Sequence, residues 1–294
     1  MPGAGHFMGN SSAPAWLQAA PGVEVRRSSA YAMNSVVVRC EGGALLVDPG
    51  VFPLEIEDIR HAVEDAGEIA LFFTHSHWDH VLGRLYWPEA PLIAHRRFHE
   101  ALERDLDEVR RRLREVGDEF YVRWPGEVRP WSPGVRVGEE HAWVWRGRRF
   151  VAGHAPGHAS DQLALHLPGD RLLIAADMLS DLEIPMLEAG CEPYIETLAR
   201  VQALGRQGEV EVLVPGHGSV ARGWSEIEAR IERDLAYLGE IDRRVVAGRT
   251  RRKRLEEVVE ECTAMDFLNK AGQPPMAEVH RRNVESAYRP MLEG

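Results

Sequence analysis

The sequence predicts an α/β fold followed by a helical C-terminal appendage, and two observations support this prediction. Over roughly residues 22–223, short apolar runs with the length of buried strands alternate with segments of helical periodicity. From residue 224 onward, apolar residues recur only at helical spacing. The residues before 22 show neither pattern. The predicted division is therefore a flexible tail over 1–21, an α/β domain over 22–223 and the appendage over 224–294.

The strands are indicated by short runs of branched and other apolar residues that end at turn residues. The first two runs, 36–38 and 44–47, are separated by Gly42 and Gly43. Further strands are expected at 69–73, 91–94, 135, 142–145, 149–151, 163–166, 172–175 and 210–214. Helical spacing predicts helices at 54–65, 96–117 and 193–204, and in the appendage at 225–247, 252–268 and 276–291.

Composition limits the classes of partner and compartment. The formal net charge of −11 disfavours nucleic acid as a partner, because phosphates repel an acidic surface. No apolar run approaches the roughly 20 residues needed to span a bilayer, and the N-terminus lacks the basic start of a signal peptide. The three cysteines, Cys40, Cys191 and Cys262, are too far apart for a disulfide framework. We therefore expect a cytoplasmic protein with no membrane partner.

A cluster of polar side chains follows the predicted strand 69–73. His75, His77, Asp79 and His80 fall within six residues. Imidazole and carboxylate are the ligand types that zinc takes in hydrolytic sites. Several such groups close together would be costly in an apolar core, because each needs a polar partner. The cluster therefore predicts a metal site at the end of this strand.

These residues resemble the HxHxDH signature of the metallo-β-lactamase superfamily. Four further segments resemble the family's motifs in the family's order: Asp48-Pro49-Gly50, Pro156-Gly157-His158, Ala175-Ala176-Asp177 and Pro215-Gly216-His217. The resemblance covers roughly residues 22–223. It implies that the α/β domain is a four-layer αββα sandwich.

The resemblance also implies the composition of the site. His75, His77 and His158 are expected to hold a first metal, Asp79, His80 and His217 to hold a second, and Asp177 to bridge both. Asp79 and Asp177 are the residues to which it gives catalytic roles. The implied cofactors are two divalent metal ions, with zinc preferred and iron or manganese as alternatives. Such a pair activates a shared hydroxide, so no serine or cysteine nucleophile is required.

Several neighbouring residues have a functional and a structural interpretation. Asp48 is expected to orient a ligand histidine, with a turn residue as the alternative. Trp78 could form a wall of the cleft and Tyr194 could donate to an oxyanion, but core packing is the alternative for both. His154 matches a family position that is often histidine without being a ligand. The cysteines are expected to have no catalytic role.

The leading function is hydrolysis of a carboxylic ester, thioester or lactone of a small-molecule substrate. Asp177 speaks against antibiotic hydrolysis, since true β-lactamases generally lack the bridging aspartate. A phosphodiesterase or nuclease is the first alternative, suggested by the basic run 243–254. An iron-dependent redox enzyme and a non-catalytic, metal-stabilised binding protein are the others. The C-terminal helices could form a homodimer interface or cover the cleft.

Overall fold

The computed structural model describes residues 16–188, 190–263, 265 and 274–288. Seven strands form a first sheet in chain order. They are β1 (Trp16–Ala20), β2 (Val23–Arg27), β3 (Asn34–Cys40), β4 (Gly43–Val47), β5 (Glu68–Phe72), β6 (Leu92–His95) and β7 (Val135–Val137). Neighbours from β1 to β4 are antiparallel, and those from β4 to β7 are parallel.

Six strands form a second sheet, in which neighbours are again consecutive in the chain. They are β8 (Glu140–Trp145), β9 (Arg148–His154), β10 (Leu163–Leu167), β11 (Leu172–Ile174), β12 (Val212–Val214) and β13 (Ala221–Arg222). Only β11 and β12 pair in parallel, because α4 connects them. The helices are α1 (Pro53–Ala62), α2 (Phe98–Arg104), α3 (Leu106–Glu119), α4 (Cys191–Arg206), α5 (Trp224–Thr250), α6 (Leu255–Cys262) and α7 (Pro274–Tyr288).

Alternation of side chains along the strands produces the layers. In β3, Val36 and Val38 belong to the apolar core between the two sheets, which also contains Phe150 and Leu165 of the second sheet. Val37 belongs to a separate core between the first sheet and α1 to α3. Successive strand residues point to opposite faces, so each sheet is buried on both sides. The predicted four-layer αββα sandwich is confirmed.

The C-terminal helices extend the outer layer that covers the second sheet. Tyr194 and Leu198 of α4 share one core with Ile231 and Leu238 of α5 and with Val284 of α7. The helices after residue 224 therefore pack on the sandwich through the same apolar surface as α4. None of the helices in the described ranges is long and apolar enough to cross a membrane.

Two local predictions differ from the structure. The sequence predicted a tail over 1–21; residues 1–15 lie outside the described residues, and residues 16–20 form β1. Ala19 is the one buried residue of this edge strand, so the strand's sequence does not alternate between apolar and polar residues. The single helix predicted over 96–117 is two helices, α2 and α3, that meet at Asp105. The apolar stripe continues across the break because both helices pack on the first sheet.

Candidate metal centre

The candidate ligands lie where strands end at one edge of the sandwich. β5 ends at Phe72 just before His75, and β11 ends at Ile174 just before Asp177. β12 ends at Val214, three residues before His217. Strand ends are held by the hydrogen bonds of the sheet, so the loops that follow can hold side chains at fixed positions.

Three histidines and one aspartate form a first group, His75, His77, His158 and Asp177, with one ligand atom from each lying within 4.8 Å of the others. Nδ1 of His77 lies 3.0 Å from Nε2 of His158. Nε2 of His158 lies 3.3 Å from Oδ2 of Asp177, and Nε2 of His75 lies 3.7 Å from the same oxygen. These are the residue types of a divalent transition-metal site.

Asp79, His80 and His217 form a second group within the same distance limit. Nε2 of His217 lies 3.4 Å from Oδ2 of Asp79 and 3.5 Å from Oδ2 of Asp177. Nε2 of His80 lies 3.3 Å from Oδ1 of Asp177. The Asp177 carboxylate therefore faces ligand atoms of both groups.

Unpartnered polar atoms at the centre show that the donor set fits metal ions. Nε2 of His75, Nε2 of His80 and Oδ1 of Asp177 are buried without a hydrogen-bond partner. Buried polar atoms are normally paired, and leaving one unpaired costs about 1–3 kcal/mol. Two cations placed among these atoms would satisfy all three.

Hydrogen bonds on the outer side of the rings fix which nitrogen faces the centre. His80 Nδ1 lies 2.9 Å from Oδ2 of Asp48, and His217 Nδ1 lies 2.9 Å from the carbonyl oxygen of Tyr31. Both partners accept, so each Nδ1 carries a proton and Nε2 is the nitrogen that faces the centre, where it would lose its own proton to bind a metal ion.

Asp48 also acts on His75 through one intervening hydroxyl. Oγ1 of Thr74 donates to Oδ2 of Asp48 at 2.6 Å and lies 3.0 Å from Nδ1 of His75. A hydroxyl that donates its only proton to Asp48 can only accept from His75, so the Nε2 lone pair of His75 faces the centre. Asp48 thus holds the ring of one histidine in each group, directly for His80 and through Thr74 for His75. Its predicted role in orienting a metal ligand stays a prediction.

The electrostatics of the two groups differ. In the second group, burial alone would lower the histidine pKa values, but nearby carboxylates outweigh it and raise the pKa of His80 well above its usual value and that of His217 to about 10. Burial lowers the pKa of His75 well below its usual value and that of His158 to about 4, so these rings are neutral. For Asp177, burial alone would raise the pKa of the carboxyl, but His80, His217 and His158 outweigh it and lower that pKa well below its usual range. A neutral imidazole and an ionised carboxylate are the protonation states that bind metal.

Close backbone approach explains a glycine in the last motif. A Cβ on Gly216 would lie 1.9 Å from Oδ1 of Asp177, so no side chain fits there. Ala176, directly before Asp177, and Asp48 have left-handed backbone conformations, with φ of 51° and 44°. Non-glycine residues rarely adopt this region, and such strain is concentrated at functional sites.

A cavity of about 440 Å³ opens onto both groups. Tyr31 and Trp78 lie on its wall with their rings edge to face, so the predicted wall position of Trp78 is where the structure places it. Its rim carries three arginines that the sequence analysis did not single out. They are Arg104, Arg112 and Arg282, from α2, α3 and α7.

Other candidate residues do not line the cleft, although the hydroxyl of Tyr194 donates to the backbone carbonyl oxygen of Asp177 at 3.5 Å. Tyr194 is fully buried, and its ring packs against Gly157, as the packing interpretation predicted. His154 stacks on His95, with ring centroids 4.3 Å apart. Burial raises the pKa of the Cys191 thiol to about 12, which fits a cysteine without catalytic function.

One contact of the centre was missed by the sequence analysis. Oε1 of Glu188 lies 2.9 Å from Nε2 of His77. Glu188 lies in the irregular segment between β11 and α4, where no periodicity or spacing relates it to a histidine 111 positions earlier. No sequence signal identified it.

Comparisons with known proteins agree with this geometry. The family model described as "Metallo-beta-lactamase superfamily" matches residues 30–222. A search of curated proteins finds no match.

Similar folds occur among solved structures. The stereoselective inverting sec-alkylsulfatase Pisa1 from Pseudomonas sp. has a TM-score of 0.70 at 13% identity, covering 93% of this chain and 49% of that one, so this chain spans about half its length. A metallo-beta-lactamase family protein from Thermus thermophilus has a TM-score of 0.61 at 16% identity, covering 94% and 93% of the two chains. A metallo-beta-lactamase mutant from Cronobacter sakazakii has a TM-score of 0.57 at 19% identity, covering 81% and 99%.

Proposed function

This chain belongs to the metallo-beta-lactamase superfamily, and on that premise we propose that it is a hydrolase that holds two divalent metal ions, preferably zinc. The observation that carries the proposal is the convergence of unpartnered ligand atoms from His75, His80 and Asp177, because Asp177 also lines an open cleft. His75, His77 and His158 would hold one ion and Asp79, His80 and His217 the other, with Asp177 binding both.

When bound, such a metal pair lowers the pKa of water and polarises the substrate's carbonyl or phosphoryl oxygen. The chain's own residues supply the rest of the reaction. Asp48 and the Tyr31 carbonyl keep the ligand histidines in the required protonation state. Asp79 lies at the cleft floor, where its carboxylate can accept the proton that water loses and donate it to the leaving group. No nucleophilic side chain is needed.

We propose a carboxylic ester, thioester or lactone as the substrate class. A cavity of about 440 Å³ fits a small molecule. Tyr31, Trp78, Val109 and Met186 offer apolar surface beside the ligand groups, and such surface suits an acyl or alkyl chain.

A second candidate is an ester of a negatively charged acid, such as a phosphodiester. Three arginines that line the cleft favour it, since guanidinium groups bind such oxyanions well. Each is paired with an acidic neighbour in the chain, so a phosphate would have to compete with that carboxylate. The basic run 243–254 does not lie among the residues that line the cleft. Arg243 and Arg244 are paired with Glu240, and Lys253 is paired with Glu261. Any phosphate recognition is therefore expected at the rim.

Metal content tests the proposal directly. We expect inductively coupled plasma mass spectrometry to find two metal ions per chain, chiefly zinc, in protein purified without added metal. Removing them with a chelator should abolish hydrolysis of a panel of lactones, thioesters, aryl phosphodiesters and sulfate esters, and Zn²⁺ should restore it. A single iron with no zinc would favour the redox alternative. A fully loaded protein that hydrolyses nothing in a broad panel would favour a binding protein.

Arginine substitutions separate the two substrate classes. Replacing Arg251, Arg252 and Arg254 together by glutamine should leave turnover within twofold for every substrate, since these exposed side chains lie outside the cleft. Replacing Arg112 by glutamine should raise KM for a phosphodiester by about tenfold, the loss of one charge-assisted hydrogen bond, and leave KM for a lactone nearly unchanged. Steady-state kinetics on both substrates is the measurement. A large loss in the triple variant alone would return support to the nuclease alternative.

A further inference from the structure

The C-terminal helices are connected to one of the candidate metal ligands. We infer that Glu188 and Asn283 are positioning residues, which together hold the His77 ring in the orientation that binds the first metal. The inference rests on the proposed function, because it takes His77 to be a metal ligand. It gives the C-terminal appendage a role in binding the first metal.

The contact between Glu188 and His77 decides which ring nitrogen can bind metal. Nδ1 of His77 faces the first group, 3.0 Å from Nε2 of His158, while Nε2 faces Oε1 of Glu188 at 2.9 Å. A metal ion on Nδ1 requires the ring proton on Nε2, where it is donated to the carboxylate. Partners of this kind fix both the tautomer and the direction of a ligand ring, and their loss costs about 10–100-fold in metal affinity.

The segment that carries Glu188 depends on α7 for its position. Residues 181–188 have no regular secondary structure. Oδ1 of Asn283 accepts from the backbone N–H of Leu187 at 2.8 Å, and Nδ2 of Asn283 donates to the carbonyl oxygen of Pro185. One buried amide thus satisfies two backbone groups directly before Glu188. The backbone N–H of Glu188 itself donates to the carbonyl oxygen of Gly157 at 3.3 Å, so Asn283 and Gly157 hold the segment together.

Behind Asn283, a hydrogen-bond network joins all three C-terminal helices. His280 Nε2 lies 3.0 Å from the carbonyl oxygen of Cys262, so this nitrogen must donate and Nδ1 must accept. Tyr237 Oη then donates to that Nδ1 at 2.9 Å and accepts from Asn283 Nδ2 at 2.8 Å. His280, Tyr237 and Asn283 are at most 2% exposed, so water does not compete for these bonds. The network holds the Asn283 amide in one orientation.

A purely structural role for Asn283 would predict a different outcome. The network could simply hold α5, α6 and α7 together, in which case its loss would lower stability without affecting one metal selectively. A positioning role predicts weaker metal binding that depends on Glu188 being present. Zinc affinity therefore separates the two roles, and melting temperature measures the structural part.

The first test titrates apoprotein with Zn²⁺ in competition with a chromophoric chelator, in the parent and in a His217→Ala background that weakens the second group. Glu188→Ala should raise the Kd of the first group by 10–100-fold. Glu188→Gln should stay within about threefold, because its amide oxygen still accepts from His77. An unchanged Kd in Glu188→Ala would overturn the inference. So would equal losses in both variants, which would indicate a through-space charge effect. A parent protein that binds no Zn²⁺ would instead refute the proposed function.

The second test asks whether Asn283 acts on His77 through Glu188. Asn283→Ala should raise the first-group Kd by about tenfold, yet add almost nothing when Glu188→Ala is already present, since residues that act through one another are not additive. Tyr237→Phe keeps the volume of the side chain, removes the hydroxyl behind Asn283, and should act in the same direction if Asn283→Ala fails to fold. Arg281→Gln, an exposed change on the same helix, is the matched control. Additive losses, or no change in either variant, would overturn the role of Asn283.

Discussion

Replacing Asp177 by asparagine is expected to release both metal ions and to lower turnover by at least about a thousandfold. The Asp177 carboxylate lies within 3.7 Å of Nε2 of His75, His80, His158 and His217, so it faces both groups at once. Asparagine keeps the size of the side chain but removes the negative charge that offsets two dications. Loss of the several kcal/mol that bound metals contribute corresponds to three or more powers of ten in rate.

Single-group variants provide the comparison for this result. His158→Ala should weaken the first ion and spare the second, and His217→Ala should do the reverse. Asp65→Asn, at an exposed carboxylate paired with Arg39, should change neither metal content nor turnover. All four proteins should be measured side by side for metal content and rate. If Asp177→Asn retains both ions and near-normal turnover, the bridging assignment is wrong, and the argument against β-lactam hydrolysis loses its basis.

The candidate ligands could be predicted because sequence and geometry coincide at strand ends. His75, His77, Asp79 and His80 are neighbours in the chain. His158, Asp177 and His217 are remote, but each follows a strand that ends at the same edge of the sandwich. Strand order and family motifs together therefore place seven side chains in one small volume. The layers were predictable for a related reason, since period-two burial and helical periodicity are local signals.

The surroundings of the ligands could not be predicted, because they depend on long-range packing. Glu188, Arg112 and Arg282 reach the cleft from an irregular loop and from two helices whose positions no local pattern specifies. The break between α2 and α3 at Asp105 could not be predicted either, because the apolar stripe continues across it. Arg104 ends α2 at this break, and it lines the cleft. The predicted domain boundary at residue 224 remains a prediction, although α4 and α5 share one apolar core.

Replacing Asp48 should lower both the stability of the fold and the Zn²⁺ affinity of the second group, and two different variants separate these effects. Asp48 is 2% exposed and accepts hydrogen bonds from the backbone N–H of Thr74, from its hydroxyl and from Nδ1 of His80. Asp48→Ala leaves these buried donors unpaired, so we expect the free energy of unfolding of the metal-free protein to fall by about 3–5 kcal/mol. Chemical denaturation measures this loss. Asp58→Ala, at a surface carboxylate paired with Arg26, is the control and should change stability by less than about 1 kcal/mol.

Asp48→Asn isolates the effect on the metal centre. An asparagine has one accepting oxygen and one donating nitrogen, whereas every neighbour of Asp48 donates. If the amide nitrogen faces His80, the ring can pair with it only by moving its proton from Nδ1 to Nε2, and the lone pair that faces the metal is lost. If the amide is flipped, its oxygen accepts from His80 but its nitrogen opposes the backbone N–H of Thr74, which cannot become an acceptor, so the first orientation is favoured. We therefore expect a folded protein whose Zn²⁺ affinity at the second group falls by about 10–100-fold. A folded Asp48→Asn protein with unchanged Zn²⁺ affinity would reduce Asp48 to a turn residue, because fixing the proton of His80 would then be unnecessary.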